Sequence, residues 1–426
     1  MHVAQTIDVK EVLESKPIQL RTTLTRVLSL FTLLGFVALI YGIVYMSPEL
    51  FWGSFYINFI YWTGLALGSL IISAIFQITR ALWSPPLRRI AEASVFFLPW
   101  SFGAFLLTYL GKEYLFPWGS HPMPGRETWM EPNFVYFRFG LLLFLLFFLC
   151  WRFVRLSLRS DLGYIRENVS DANKKTWQGV IPKMITGGWK GSDKEVNSIQ
   201  VKMSRMAPVL VILYIVIYTM FATEMVASTD TVWYANMYGG FSFIGNIFMG
   251  WASLAILCTY FSRTNPAFGK TVTNQQWWDL GKLMFGFTML WGYLFFSHFL
   301  PQWYGNLPEE TQWLILRTRE FPWKAWSWVT FAMCFVIPFI SLLSRDLKKT
   351  PTALSTVACI ILLGVWSEKY VFIMPSYSPN LIPFGIYDIF IFLGFLGVYG
   401  LSVTGFLKRF PYVPLSHPVT RGITNW

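Results

Sequence analysis

The stretch "MAPVLVILYIVIYTMF" (Met206–Phe221) contains no charged residue, and the next five, "ATEMV", add only Glu224. An apolar run of about 20 residues crosses a ~30 Å hydrocarbon layer when wound into a helix. Inside lipid every backbone N–H and C=O must find its partner within the chain, so such a run is a helix and not an isolated strand. Similar runs recur along the whole length. They predict ten spans, at about 27–46, 52–78, 90–110, 134–155, 206–226, 233–261, 275–300, 320–344, 351–374 and 383–407. The expected fold class is an all-α polytopic membrane protein.

Composition points the same way. Of the 426 residues, 54% are hydrophobic, 19% aromatic and only 13% charged. A soluble chain of that size could not cover its surface with so few polar groups. The first 26 residues are polar, so no cleavable signal peptide is expected. Trp52, Trp118, Trp151, Trp233, Trp277, Trp278, Trp303 and Trp323 fall near span ends, where an interfacial aromatic belt is expected.

The division expected is a polar N-terminal segment (1–26), four spans (27–155), a connector (156–205), six spans (206–407) and a tail (408–426). The four-plus-six split suggests two helical bundles. The connector contains "GWKGSDKE", which lacks the G-x-x-x-x-G-K-[ST] spacing of a phosphate loop. Most of the 34 Lys and Arg residues fall on the side of the two termini, including Arg21, Arg26, Arg80, Arg88, Arg89, Lys348, Lys349 and Arg409. The opposite loops hold Lys112, Arg126, Arg317 and Arg319. By the positive-inside rule both termini are expected in the cytoplasm. This asymmetry accounts for the net charge of +12 without invoking nucleic acid.

Small residues at helix-contact spacing, Gly64 with Gly68, Gly239, Gly240, Gly245 and Gly250, then Gly394, Gly397, Gly400 and Gly405, are expected to let backbones approach closely. Pro99 and Pro338 should kink their spans. Cys150, Cys258, Cys334 and Cys359 show no C-x-x-C spacing and are expected as small buried apolar residues. The four histidines are His2, His121, His298 and His417, and only His298 falls in a span. A bundle-bound haem needs two facing axial ligands, and no C-x-x-C-H motif is present, so no haem or iron–sulfur cluster is expected on this chain, covalently or by ligation.

Ionisable residues inside spans are costly and are functional candidates by default. They are Glu92, Arg138, Glu224, Asp279, Lys282, His298, Lys324, Glu368, Lys369 and Asp388. On one helix Asp279, Lys282, Gly286, Met289, Tyr293 and Ser297 follow steps of three and four and share a stripe. His298 lies about 24 Å beyond Lys282 at ~1.5 Å per residue, close to the hydrocarbon thickness. One reading makes Asp279 and Lys282 a proton entrance, and His298 with Glu309 and Glu310 an exit; Glu224, Glu368 and Asp388 are further candidates. The other is an ion pair at one end and a solvated histidine above the "NLPEE" turn at the other. In the outer loops Trp303, Tyr304 and Trp313 beside glutamates suit either a docking surface or the aromatic belt.

Three stretches resemble one family. "YWTGLALGSLIISAIFQITRALWSPPLRRIAEA" (Tyr61–Ala93) and "WWDLGKLMFGFTMLWGYLFFSHFLPQWYGNLPEETQW" (Trp277–Trp313) are similar to the smaller NrfD-like membrane subunit of bacterial alternative complex III. "MAPVLVILYIVIYTMF" with "WYANMYGGFSFIGN" fits its middle spans more loosely. The strings D-L-G-K-L and W-Y-x-N-x-P-E-E carry the resemblance, which covers nearly the whole chain. It implies an NrfD/PsrC-like helical fold in the bacterial cytoplasmic membrane. It also implies a complex that oxidises membrane quinol, of the menaquinone class, and passes electrons to a cytochrome c or an oxidase. The implied partners are a larger NrfD-like subunit, multihaem and monohaem cytochrome c subunits, an iron–sulfur subunit, other small membrane subunits and lipids, with haems and clusters in the partners. Family members often carry Gln where His298 stands, and an S-L-x-P-x-W string where this chain has "ASTDTVW" (Ala227–Trp233). Without the resemblance, a ten-span secondary transporter and a scaffold for extrinsic redox proteins remain as rival readings.

Overall fold

The computed structural model describes residues 18, 21–120, 125–169, 180–231, 233, 235, 237–418 and 420. Among them are ten helices long and apolar enough to cross a membrane: α1 (Thr22–Tyr45), α2 (Pro48–Ile78), α3 (Pro85–Leu115), α4 (Pro132–Asn168), α5 (Ser192–Thr229), α6 (Tyr238–Thr264), α7 (Asn274–Gly305), α8 (Trp323–Leu343), α9 (Pro351–Ser376) and α10 (Ile386–Leu407). No strand occurs among the described residues. The chain is an all-α, multi-pass membrane protein. An even number of crossings returns it to the side on which α1 begins, here called the terminal face. His2, His121 and the 170–179 part of the connector lie outside the described residues.

Most of the described connector is helix rather than loop. α4 continues to Asn168 and α5 starts at Ser192, with one short helix, Val180–Ile185, between them. Their polar ends remain helical because they pack on each other. Arg159 forks onto Glu195 at 2.9 and 3.2 Å and donates to the carbonyls of Ile185 and Gly187 at 3.0 and 2.9 Å.

Helix contacts group the spans as α2–α5 and α6–α9, joined along α2 and α6, with α1 and α10 paired on the flank against α2 and the start of α3. Close backbone approach makes the joint. A Cβ on Gly68 would stand 1.8 Å from the Asn246 carbonyl oxygen, and one on Gly250 would stand 2.7 Å from the Gly68 carbonyl carbon. The α1–α10 pair repeats the device, since a Cβ on Gly35 would lie 2.3 Å from the Gly394 Cα. Gly240 and Gly245 differ from expectation, because the space beside each is open.

Both expected proline kinks coincide with irregular helix. Pro99 lacks the N–H that would bond the Val95 carbonyl, and Val95 lies in the 3-10 segment Ala93–Phe97. Pro338 likewise frees Cys334, inside the π-turn Ala332–Val336. Two other expectations are corrected. Cys359 is exposed, unlike the other three cysteines. Trp118, Trp233, Trp277 and Trp323 are buried rather than interfacial. Trp118 and Trp323 find indole acceptors inside the protein, at Ser228 Oγ and the Ser378 carbonyl, both 3.0 Å away.

Candidate functional site

α7 turns one face inward, carrying Asp279, Met284, Thr288, Trp291, Leu294 and His298. At the end away from the terminal face His298 is enclosed by aromatic rings, with Trp233 at 5.3 Å and Tyr238 at 6.3 Å between centroids. Phe241 and Trp313 each lie 6.4 Å away. Its Nε2 is buried and finds no hydrogen-bond partner among the described residues. Buried ring nitrogens ordinarily have partners, which marks this one as a candidate polar site inside the aromatic box.

The roof of this box is the helix Pro308–Thr318. Its Arg317 is buried, with the guanidinium 3.9 Å from the Trp313 ring centre. It donates to the carbonyls of Val371 and Phe372, each at 2.9 Å, and Trp313 at 3.1 Å. Val371 and Phe372 end the α-helical part of α9, where carbonyls lack helical partners and carry partial negative charge. Burial lowers the Arg317 pKa to about 9, against an opposing pull from Asp230, so it remains a cation at neutral pH.

Two turns closer to the terminal face, the Trp291 indole donates to Glu368 Oε2 at 2.8 Å. Glu368 Oε1 holds Lys369 Nζ at 2.6 Å, and both side chains are only 2–3% exposed. Phe241 lies between the two levels, 5.4 Å from Trp291 and 6.4 Å from His298 by ring centroids. Glu368 and His298 therefore lie on the two sides of an aromatic layer made by Phe241, Phe372 and Tyr238. Any proton passing between them needs water within that layer, since no side-chain hydrogen-bond chain joins them among the described residues.

The other candidates do not join this line. Lys282, Gly286, Met289 and Tyr293 face outward, so most of the stripe read from the spacing lies on the outer surface of this chain, while its first member, Asp279, is buried. Ser297 is half-buried beside them. Asp279 pairs with Lys282 at 2.6 Å and accepts from Gln275 at 3.1 Å. Glu309 is exposed and Glu310 half-buried, both in the first turn of Pro308–Thr318, where they complement the helix dipole. Glu224 sits in the π-turn of α5, paired with Arg138 and accepting from the Trp129 indole at 3.0 Å. Asp388 caps α10, accepting from Gly385 N–H at 2.9 Å. Of the docking candidates, Trp303 and Tyr304 are exposed, at 58% and 84%. Trp313 is corrected: it is buried against Trp233 and offers no surface to a partner.

A cluster at the terminal face escaped the sequence reading. Arg88 and Arg89, expected as loop charges, are buried at the start of α3. Glu92 accepts from Arg88 Nε at 3.2 Å, from Arg89 at 2.5 Å and from Ser73 and Ser157 at 3.1 and 3.2 Å. Arg89 also pairs with Asp161 of α4, whose other oxygen accepts from the Ser416 backbone N–H at 2.9 Å. The C-terminal stretch 410–418 is thereby drawn into the interior. The spacing of Arg88 and Arg89 to Glu92, four and three residues, was the available signal.

A cleft of about 260 Å³ opens between α1, α2, α6, α9 and α10, walled by Leu28, Trp62, Leu65, Tyr260, Leu396 and Tyr399. Its described lining holds no Asp, Glu, His, Lys or Arg. Such a wall suits a hydrocarbon tail and offers no base for chemistry. No protein-family model and no curated protein matches the chain.

Proposed function

We propose that this chain is an integral subunit of a respiratory quinol:electron-acceptor oxidoreductase of the alternative complex III type. In this reading it lies in the bacterial cytoplasmic membrane with both termini in the cytoplasm. Redox cofactors sit in partner subunits: a larger NrfD-like protein, multihaem and monohaem cytochromes c and an iron–sulfur protein. The observation that carries the reading is the pair of strings on and after α7, D-L-G-K-L (Asp279–Leu283) and W-Y-x-N-x-P-E-E (Trp303–Glu310). The helix grouping is in keeping with it, two bundles of four with a flanking pair.

The subunit is not catalytic alone in this reading. Quinol oxidation requires a base at the quinol hydroxyls, and the apolar cleft beside Trp62 and Tyr399 provides none among its described residues. The cleft is suited to a menaquinone-class tail. The Glu368–Lys369 pair and His298 are the groups through which the chain takes part in proton movement. Of the described histidines, His298 and His417 lie at opposite ends of the bundle, too far apart to ligate one haem together.

The test is affinity purification from the native membrane in mild detergent. Co-elution of multihaem and iron–sulfur proteins with quinol-oxidising activity is expected, and the chain separated from them should show no Soret band. Recovery as a lone polypeptide with solute transport in vesicles would replace this reading with the transporter.

A further inference from the structure

At the terminal end of α4 the outward face changes from apolar to basic. Phe144, Phe148 and Trp151 are exposed there, followed by Arg152 and Arg155. That change marks the level of a membrane interface. Beside it lies a cleft of about 340 Å³ between α3, α4, the short helix Val180–Ile185 and Phe410 of the tail. Val95, Phe96, Val154 and Leu158 form its floor and Ile181 and Met184 its rim. Ile181 and Met184 are exposed, Met184 at 72%, so the short helix presents apolar side chains at the interface level.

One guanidinium group lines the cleft and a second stands beside one of its walls. Arg155 lines the cleft with its charge 5.2 Å from the Trp151 ring centre. Arg409 sits 5.9 Å from the ring of Phe96. Neither is paired with a carboxylate among the described residues, whereas nearby Arg159 and Arg89 are. An apolar slot with Arg155 in its lining and Arg409 beside its Phe96 wall, neither facing a carboxylate among the described residues, is complementary to an amphiphile with a phosphate head.

We propose that this cleft binds one anionic phospholipid, its phosphate at Arg155 and Arg409 and an acyl chain against Val95, Val154 and Leu158. A free phosphate would use the charges and leave the apolar walls unfilled. A zwitterionic lipid would fill the walls and bring its own cation to the arginines. An anionic lipid satisfies both, and it ties the short helix of the connector to the bundle through the bilayer.

The test is native mass spectrometry of the purified full chain, titrated separately with phosphatidylglycerol and phosphatidylcholine. One phosphatidylglycerol per chain is expected, retained at least tenfold more tightly than phosphatidylcholine and not displaced by inorganic phosphate. Replacing both cations, Arg155→Gln with Arg409→Gln, should bring phosphatidylglycerol down to the phosphatidylcholine level. Arg152→Gln, an exposed charge outside the cleft, should change nothing. Met184→Trp narrows the rim without altering charge and should weaken both lipids. Equal retention of the two lipids by the parent overturns the proposal, as does displacement by phosphate or an Arg152→Gln loss equal to that of the double variant. If the double variant does not fold, Met184→Trp decides: unchanged phosphatidylglycerol retention there overturns the lipid site.

Discussion

Trp233 and Trp313 stack face to face, with ring centres 4.0 Å apart and planes 8° from parallel. The contact fastens the segment before α6 to the helix Pro308–Thr318, and Arg317 lies against the same Trp313 ring. Trp313→Ala should therefore destabilise the chain itself, by ~3–5 kcal/mol for a buried tryptophan. A lowered thermal midpoint of the isolated chain in detergent is the readout.

Trp303 and Tyr304 stand ten and nine residues before Trp313, but outside the box. Replacing both with alanine should leave the thermal midpoint of the isolated chain unchanged and release extrinsic subunits during purification. Normal subunit ratios in the double variant would assign these rings to the lipid interface instead.

The Glu368–Lys369 pair makes a sharper energetic prediction. Glu368→Gln leaves a buried ammonium without its counter-charge, which costs ~3–5 kcal/mol for a pair broken from one side. Removing both charges, Glu368→Gln with Lys369→Met, should recover most of that stability. Thermal unfolding of the single and double variants measures the coupling. If the pair also handles protons, the stable double variant should release fewer protons per quinol in the reconstituted complex.

Gly68 and Gly245 form a contrasting pair for mutagenesis. Gly68→Leu should prevent α2 from seating on α6 and abolish accumulation of folded protein, since even a Cβ meets the Asn246 carbonyl. Gly245→Ala, placed in open space on a helix, should be neutral or stabilising by up to ~1 kcal/mol. Detergent-extracted yield and size-exclusion profile distinguish the two.

The tail gives a pH dependence. Burial, with a smaller push from Arg88, lowers His417 from 6.5 to about 3. The same pocket contains Asp161, Gln200, Ser157 and Ser160. An unfolded histidine takes a proton near pH 6.5 while the folded one resists until about 3, so its stabilising share is complete above the first value. It falls away as the pH drops towards the second. Thermal midpoints should decline with acidification over this window, and His417→Gln should flatten the decline.

The residue order alone determined the ten helices, among the described residues, that are long and apolar enough to cross a membrane. Runs such as Met206–Phe221 have no other low-energy state in lipid. It also marked Gly64, Gly68, Gly250 and Gly394 as places of close packing, while the pairings they serve, α2 with α6 and α1 with α10, came from the tertiary structure. Which polar groups meet was decided only in three dimensions. α7 is apolar nearly all round, so spacing could place Asp279, Tyr293 and Ser297 on one stripe but could not say that much of this stripe faces out. That choice depends on which neighbours cover the helix. Arg89 and Asp161 are 72 residues apart, and Trp291 and Glu368 are 77 apart. No local pattern links such partners. Packing the helices buries their charges together, and the cost of leaving any one unpaired in a low-dielectric interior holds the arrangement in place.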